Sequence, residues 1–261
     1  MNRNCLTAFA LVFALVFVFA MSHAVRGQDN NDSYRAMAPL DLYLIGHDAE
    51  IALARSAAPE SISRDARVLI LGRHGYETAV EGKDGFTCIV QRSWMLPFDN
   101  PEFWNPKVRL PLCMNPPGSQ FNLPLTFKTT ELALEGVPIT QISDRLKAAY
   151  GNQELPSPGA GAMCYMMSKQ QYFSDKIGNA RDSHLMFWFP RGQHVNWGAD
   201  ASDSPVDVHQ YSPQPITEFS ISISSGQMEL PWRLTNTKKI QESASMFCPF
   251  LGALLASTRT D

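Results

Sequence analysis

Apolar and polar positions along the chain separate into segments with different periods. Val68 to Leu71 is a continuous apolar run closed by Gly72, too short for an ordinary helix, and it predicts a buried strand. Tyr76 to Glu81 alternates bulky and polar residues. After the turn Gly82-Lys83-Asp84-Gly85, Phe86 to Gln91 is again rich in β-branched and aromatic residues. Together these predict a three-stranded meander. Its first connection, Gly72-Arg73-His74-Gly75, would hold an Arg-His pair at the rim of the sheet.

A helical period appears elsewhere. Leu40, Leu44, His47, Ile51, Ala54 and Ala58 form one stripe of a helix over Pro39 to Ala58, with Asp48 and Glu50 off the stripe and Pro59 ending it. On that helix His47 reads as a core-edge residue with one hydrogen-bond partner. Thr126 to Glu135 predicts a short helix stopped by Gly136. Thr140 to Tyr150 predicts a clearer one, with Ile142, Leu146 and Ala149 inward. Ala162 to Ser168 and His184 to Phe189 are strand-length apolar runs that predict a second hairpin. Ile216 to Ser224 alternates and predicts a strand with one wet face, nearer an edge. Between Met95 and Leu125 proline recurs every few residues, which argues against a helix or central strand. Trp94, Phe98, Phe103, Trp104 and Phe121 are interleaved there and would be costly left in water, so the segment predicts a long ordered loop wrapped over the sheet. The expected fold is α+β, a mainly antiparallel sheet with two or three packed helices.

The first residues read differently. Arg3 precedes the apolar run Leu6 to Met21, and Ser22-His23-Ala24 supplies the small residues of a cleavage site, so residues 1–24 read as a signal peptide. Residues 25–38 then read as a flexible leader, 39–232 as one domain, and 233–261 as a tail or docked helix that includes the short apolar stretch Met246 to Leu255. With the signal peptide removed, no transmembrane anchor is expected. A secreted or periplasmic location makes the four remaining cysteines, Cys88, Cys113, Cys164 and Cys248, disulfide candidates, and three connectivities are open. The chain has 22 Lys+Arg against 25 Asp+Glu, without long runs of one sign, which gives nucleic acid nothing to bind.

Candidate chemistry is sparse. Arg73-His74-Gly75 after a strand resembles the RHG signature of the histidine phosphatase superfamily, in which the histidine is phosphorylated and arginines hold the phosphoryl oxygens. That family continues into a helix, whereas here a strand-like run and a glycine turn follow. A phosphate-ester hydrolase on this pattern would gather Arg73, His74 and Glu77 with Arg92 or Arg181 and His184. His184, His194 and His209 are too widely spaced for a zinc motif, and neither a P-loop, a nucleophile elbow nor a dinucleotide fingerprint is present, so no metal or cofactor is expected. Met163, Met166, Met167 and Met186, with Tyr165, Phe187 and Trp188, could line an apolar pocket, but at strand spacing they read first as core.

Four longer stretches, Ala49 to Pro59, Arg73 to Val80, Phe98 to Lys107 and Gly161 to Gln170, resemble a family of uncharacterised exported bacterial proteins. The resemblance reaches to about Trp197. It implies export and brings no activity or site residues with it. Two functions are therefore carried forward. The first is a binding or interaction module that takes a small molecule, glycan or peptide at the aromatic, proline-rich loop. The second is a secreted hydrolase centred on Arg73, His74 and Glu77.

Overall fold

The computed structural model describes residues 34–178, 183–192, 196–210 and 213–223. The expected signal peptide, the C-terminal segment, Cys248, Arg181 and His194 lie outside the described residues. Those described form an eight-stranded sheet: β1 (Arg67–Gly72), β2 (Gly75–Val80), β3 (Thr87–Gln91), β4 (Leu110–Met114), β5 (Met163–Met166), β6 (His184–Pro190), β7 (Val206–His209) and β8 (Ile216–Ser222). The spatial order is β2-β1-β3-β4-β5-β6-β8-β7. All neighbours are antiparallel except β1 and β3, so the fold is the expected α+β with a mainly antiparallel sheet.

The parallel pair corrects the expected meander. β1 and β2 form a hairpin whose two-residue turn is Arg73-His74, with Gly72 opposite Gly75 and Gly75 at φ +114°. Instead of adding beside β2, the chain then crosses the start of β1 and enters β3 on the other side. Lys83 N–H donates to Asp65 O (2.8 Å) and Arg67 N–H to Phe86 O (2.9 Å), which pins this crossing. Gly82 makes it possible. A Cβ there would stand 2.9 Å from Arg67 Cα and closer still to Arg67 N.

One face of the sheet is covered by α1 (His47–Arg55), followed by the single turn α2 (Glu60–Ser63). Small residues let this layer lie close: Ala54, Ala57 and Ala58 pack on Val68, Ile70, Cys88, Val90 and Cys113. The expected helix over Pro39 to Ala58 is broken. Leu40–Leu42 is a separate 3-10 turn and Gly46 is extended at ψ 139°, so α1 begins only at His47. The restart changes the buried face. Glu50 and Ala54 point inward, while His47 is exposed beside Asp48 (2.8 Å) rather than at a core edge.

The opposite face carries α3 (Pro116–Leu134), with α4 (Ile139–Gly151) packed against it. Here the reading of the proline-rich segment needs correction, because prolines occur where their missing N–H costs little. Pro111 lies within β4, Pro116 and Pro117 open α3, and Asn115 caps that helix by accepting from Gly118 N–H (2.9 Å). Pro124 sits inside the helix. Only residues 96–109 remain an irregular loop. The aromatics of the segment do go inward: Phe103 and Trp104 join Trp94, Leu125, Leu132, Ile142 and Leu146 in one core with Phe98 partly buried against it, while Phe121, on α3, joins Leu69, Ile89, Leu112 and Met114 in another. Tyr34, Met37 and Ala38 pack against the first of these.

Elsewhere expectation and structure agree more closely. α4 buries Ile142, Leu146 and Ala149, and Gly136 at φ +73° ends α3. β5 and β6 pair antiparallel. β8 lies one strand in from the edge, covered by β7, and its first five residues are all buried, so Thr217, Glu218 and Ser220 do not form the expected wet face. Cys88 and Cys113, directly opposed on β3 and β4, form a disulfide; Cys164 is a buried free thiol. No helix among the described residues is long and apolar enough to cross a membrane.

Candidate functional site

The side chains singled out by sequence fall in three places. Arg73 and His74 form the exposed β1–β2 turn, where Arg73 Nη2 donates to Asp41 Oδ1 (2.7 Å). They rim an open cleft of about 760 Å3 whose other wall is α3, with Phe127, Lys128 and Glu131. Glu77 is exposed on β2 beside Gly72. Arg92 is fully buried under the sheet's end, donating to Tyr43 O, Val90 O and Glu50 Oε1. His184, 3% exposed, lies in a different cavity from His74. The structure therefore does not bring Arg73, His74, Glu77, Arg92 and His184 to one site.

A second cavity, of about 240 Å3, is built from the face that carries α3. Alternation along each strand selects its walls. β6 contributes His184, Met186 and Trp188; β8 contributes Glu218, directly opposite Trp188; β5 contributes Met166, and β3 ends on Gln91. α3 packs on β2, β3, β4 and β5 and supplies Asn122 and Leu125. Leu96, Pro97 and Phe98 of the proline-rich loop, with Met95 just before it, add to the lining, and Phe121 of α3 stacks on Trp188 of β6 (ring centroids 5.6 Å). The gap lies between helix, loop and sheet.

The polar groups in this gap are held in fixed positions. Gln91 Nε2 donates to Asn122 Oδ1 (2.7 Å) and Thr126 Oγ1 (2.6 Å), and Thr126 Oγ1 donates to the same Asn122 oxygen (3.1 Å). Neither the Gln91 carbonyl oxygen nor the Asn122 amino group takes part in these three hydrogen bonds. Turning both amides end for end would leave the same complement, one donor and one acceptor. Trp188 Nε1 donates to Glu218 Oε2 (2.9 Å), anchoring a carboxylate that is only 9% exposed. Burial pushes the nearby Cys164 thiol well above its ordinary pKa, and the charge of Glu218 pushes it the same way.

Met166, Met186 and Trp188 thus belong to a core cluster and line a cavity as well. Gln91, Asn122 and Glu218 were not foreseen. The alternation of Ile216 to Ser222 does place Glu218 on one face with Ile216 and Ser220, but that face reads as the wet one unless the neighbouring strand is known. Among the described residues no three His, Cys, Asp or Glu side chains group as a metal site would require. Comparison of the chain with models of protein families, with curated proteins and with solved structures gave no match, so its function has to be argued from this geometry.

Proposed function

We propose that this is an exported binding protein whose small-molecule ligand occupies the cavity between β3, β6, β8, α3 and the proline-rich loop. Export is supported by the N-terminal apolar run with its small-residue cleavage pattern and agrees with the Cys88–Cys113 disulfide. One observation carries the binding reading: a cavity walled by methionine and aromatic side chains on which anchored polar groups, Gln91, Asn122 and Glu218 among them, converge. Its volume is below the roughly 300–1,000 Å3 of pockets for drug-sized molecules, which suits a ligand of one ring or a short chain. A hydrolase built around Arg73, His74 and Glu77 would have to work at an exposed turn, without His184 or Arg92.

The test is a ligand-observed NMR screen of small fragments against the purified full chain and against Met186→Trp, which fills the cavity. Fragments that bind the wild-type chain and fail to bind the variant support the reading. Fragments that bind both alike, or no binding at all, overturn it.

A further inference from the structure

We infer that the apolar stretch Met246 to Leu255 of this same chain, outside the described residues, seats on the face of β6 and β8 that continues the α1 side of the sheet; this does not rest on the binding reading above. Register fixes which side chains make up that face. Val68, Cys88, Cys113, Tyr165, Leu185 and Ile221 stand side by side across six strands, so they point the same way. α1 packs on β1, β3 and β4. Farther along the same face, β6 presents Leu185, Phe187 and Phe189, and β8 presents Phe219 and Ile221. Met186 and Trp188 alternate with the β6 residues toward the cavity, so β6 is apolar on both faces, and a strand of that kind belongs between two layers. Among the described residues the α1 side has part of such a layer. Trp197, from the loop that leads to β7, stands against Phe187 (ring centroids 5.3 Å), Phe189 (5.4 Å) and Phe219 (4.8 Å). Phe219 is buried, but Leu185, Phe187, Phe189, Ile221 and Trp197 are only partly so, and Val208, beside Phe219 on β7, is 44% exposed. None of the side chains that β6, β7 and β8 turn to this face is charged. The face offers apolar area and no charge to whatever covers it.

The chain itself carries a matching piece. Residues 224–261 continue directly from the end of β8, and Met246 to Leu255 is a run of ten residues without a charged side chain. Phe247, Phe250, Leu251, Leu254 and Leu255 recur at i, i+3, i+4, i+7 and i+8, the spacing that gathers large apolar side chains into one helical stripe. A stripe of that kind suits a layer laid on a sheet, as α1 is. The run falls well short of the roughly 20 residues that a membrane crossing needs, so a bilayer does not account for it. Reach is no obstacle. The 22 residues Ser224 to Ser245 span up to about 70 Å when extended, whereas β6 and β7 each lie one strand spacing from β8. Tethered so close, the stretch meets the face at a high effective concentration, an advantage that no separate partner has.

The test is read at Cys248, which lies within the stretch, on the full chain; Cys164 is buried, and Cys88 and Cys113 are bonded to each other. N-ethylmaleimide, followed by peptide mapping, should modify Cys248 at least about tenfold more slowly in the wild-type chain than in the double variant Leu251→Asp, Leu254→Asp. Equal rates overturn the inference. Location is read with two further variants at positions exposed to a similar degree on opposite faces of the sheet, Val208→Cys (44%) and Phe127→Cys (41%). Under mild oxidation the Val208→Cys chain should form a disulfide with its own Cys248 about tenfold faster than the Phe127→Cys chain does. Slow modification of Cys248 without that preference puts the stretch elsewhere, and a disulfide between two chains gives the face to a second copy; either result overturns the inference. Val208 and Phe127 are exposed, and both aspartates fall outside the described fold, so a destabilised core does not shelter it.

Discussion

Glu50 and Arg92 face each other in the interior, with Arg92 Nη2 2.8 Å from Glu50 Oε1 and neither side chain more than 1% exposed. The pair joins four parts of the fold. Glu50 comes from α1 and its Oε1 also accepts from Leu71 N–H of β1 (3.0 Å), while Arg92 follows β3 and donates to Tyr43 O (2.8 Å). The second carboxylate oxygen, Oε2, is buried without a hydrogen-bond partner among the described residues, so the ion pair is not fully compensated.

Removing one partner strands the other charge. Arg92→Met is expected to destabilise the chain by about 3–5 kcal/mol, whereas Glu50→Leu combined with Arg92→Met should cost clearly less than the two single changes added together. Urea unfolding of the two single variants and the double variant checks this. Strict additivity would mean that the pair is not coupled.

The disulfide is expected to matter through the unfolded chain. Cys88 and Cys113 are separated by 25 residues, and on the chain-entropy account closing that loop stabilises by about 3.5 kcal/mol. The Cys88→Ser, Cys113→Ser double variant should lose roughly that amount in denaturant unfolding, and a reductant should lower the wild-type midpoint while leaving the variant's unchanged.

Gly82 is expected to tolerate no side chain. Gly82→Ala would place a methyl group against the backbone of Arg67 and push β3 away from β1, at a cost of about 1–3 kcal/mol. Gly136→Ala, where nothing stands within 4 Å of the added Cβ and only the positive φ is at issue, should cost about 1 kcal/mol. Thermal unfolding of the two variants, compared side by side, separates crowding from backbone conformation.

Asp175 sets a pH dependence of known sign. The Tyr172 hydroxyl (2.7 Å) holds its carboxyl well below the usual range, and hydrogen bonds from Tyr34 (2.8 Å), Lys107 (3.0 Å) and Asn105 act in the same direction against the opposing effect of burial. A carboxyl whose pKa is depressed by folding contributes stability above the unfolded value, near about 4, and loses it as pH falls toward the folded value. Between about pH 5 and pH 3 the wild-type chain should therefore lose more stability than Asp175→Asn, measured as the shift in urea midpoint. Parallel curves for the two would show that the four hydrogen bonds contribute nothing.

What could be read in the sequence was whatever depends on local pattern. The inward face of α4 follows from Ile142, Leu146 and Ala149 alone, and the strand at Val68 to Leu71 needs no knowledge of its neighbours. Glu50 could not be read, because its burial is fixed by an arginine 42 residues away and by a backbone N–H on another strand. Pro111, Pro116 and Pro117 misled for a different reason. Proline density signals loop on average, yet a strand position opposite Val90 and the first turn of a helix tolerate a missing donor. The cavity was half legible: His184, Met166, Met186 and Trp188 stood out by type. Gln91, Asn122 and Glu218 did not, since each lies on a different element and only the register of β6 against β8 and the seat of α3 on β3 bring them together.

An open sheet of this width also carries a hazard at its margins, where unpaired backbone groups invite a neighbouring chain to add a strand. Among the described residues those margins are β2 and β7. β2 exposes Glu77 and Thr78 and pairs with β1 through an irregular register at Val68 and Leu69, while β7 is only four residues long, is preceded by Pro205 and exposes Asp207 together with Val208. Two copies meeting margin to margin would set carboxylate against carboxylate along a short, kinked seam. The short, charged margins work against such addition while the sheet stays open, and its middle is where the cavity lies.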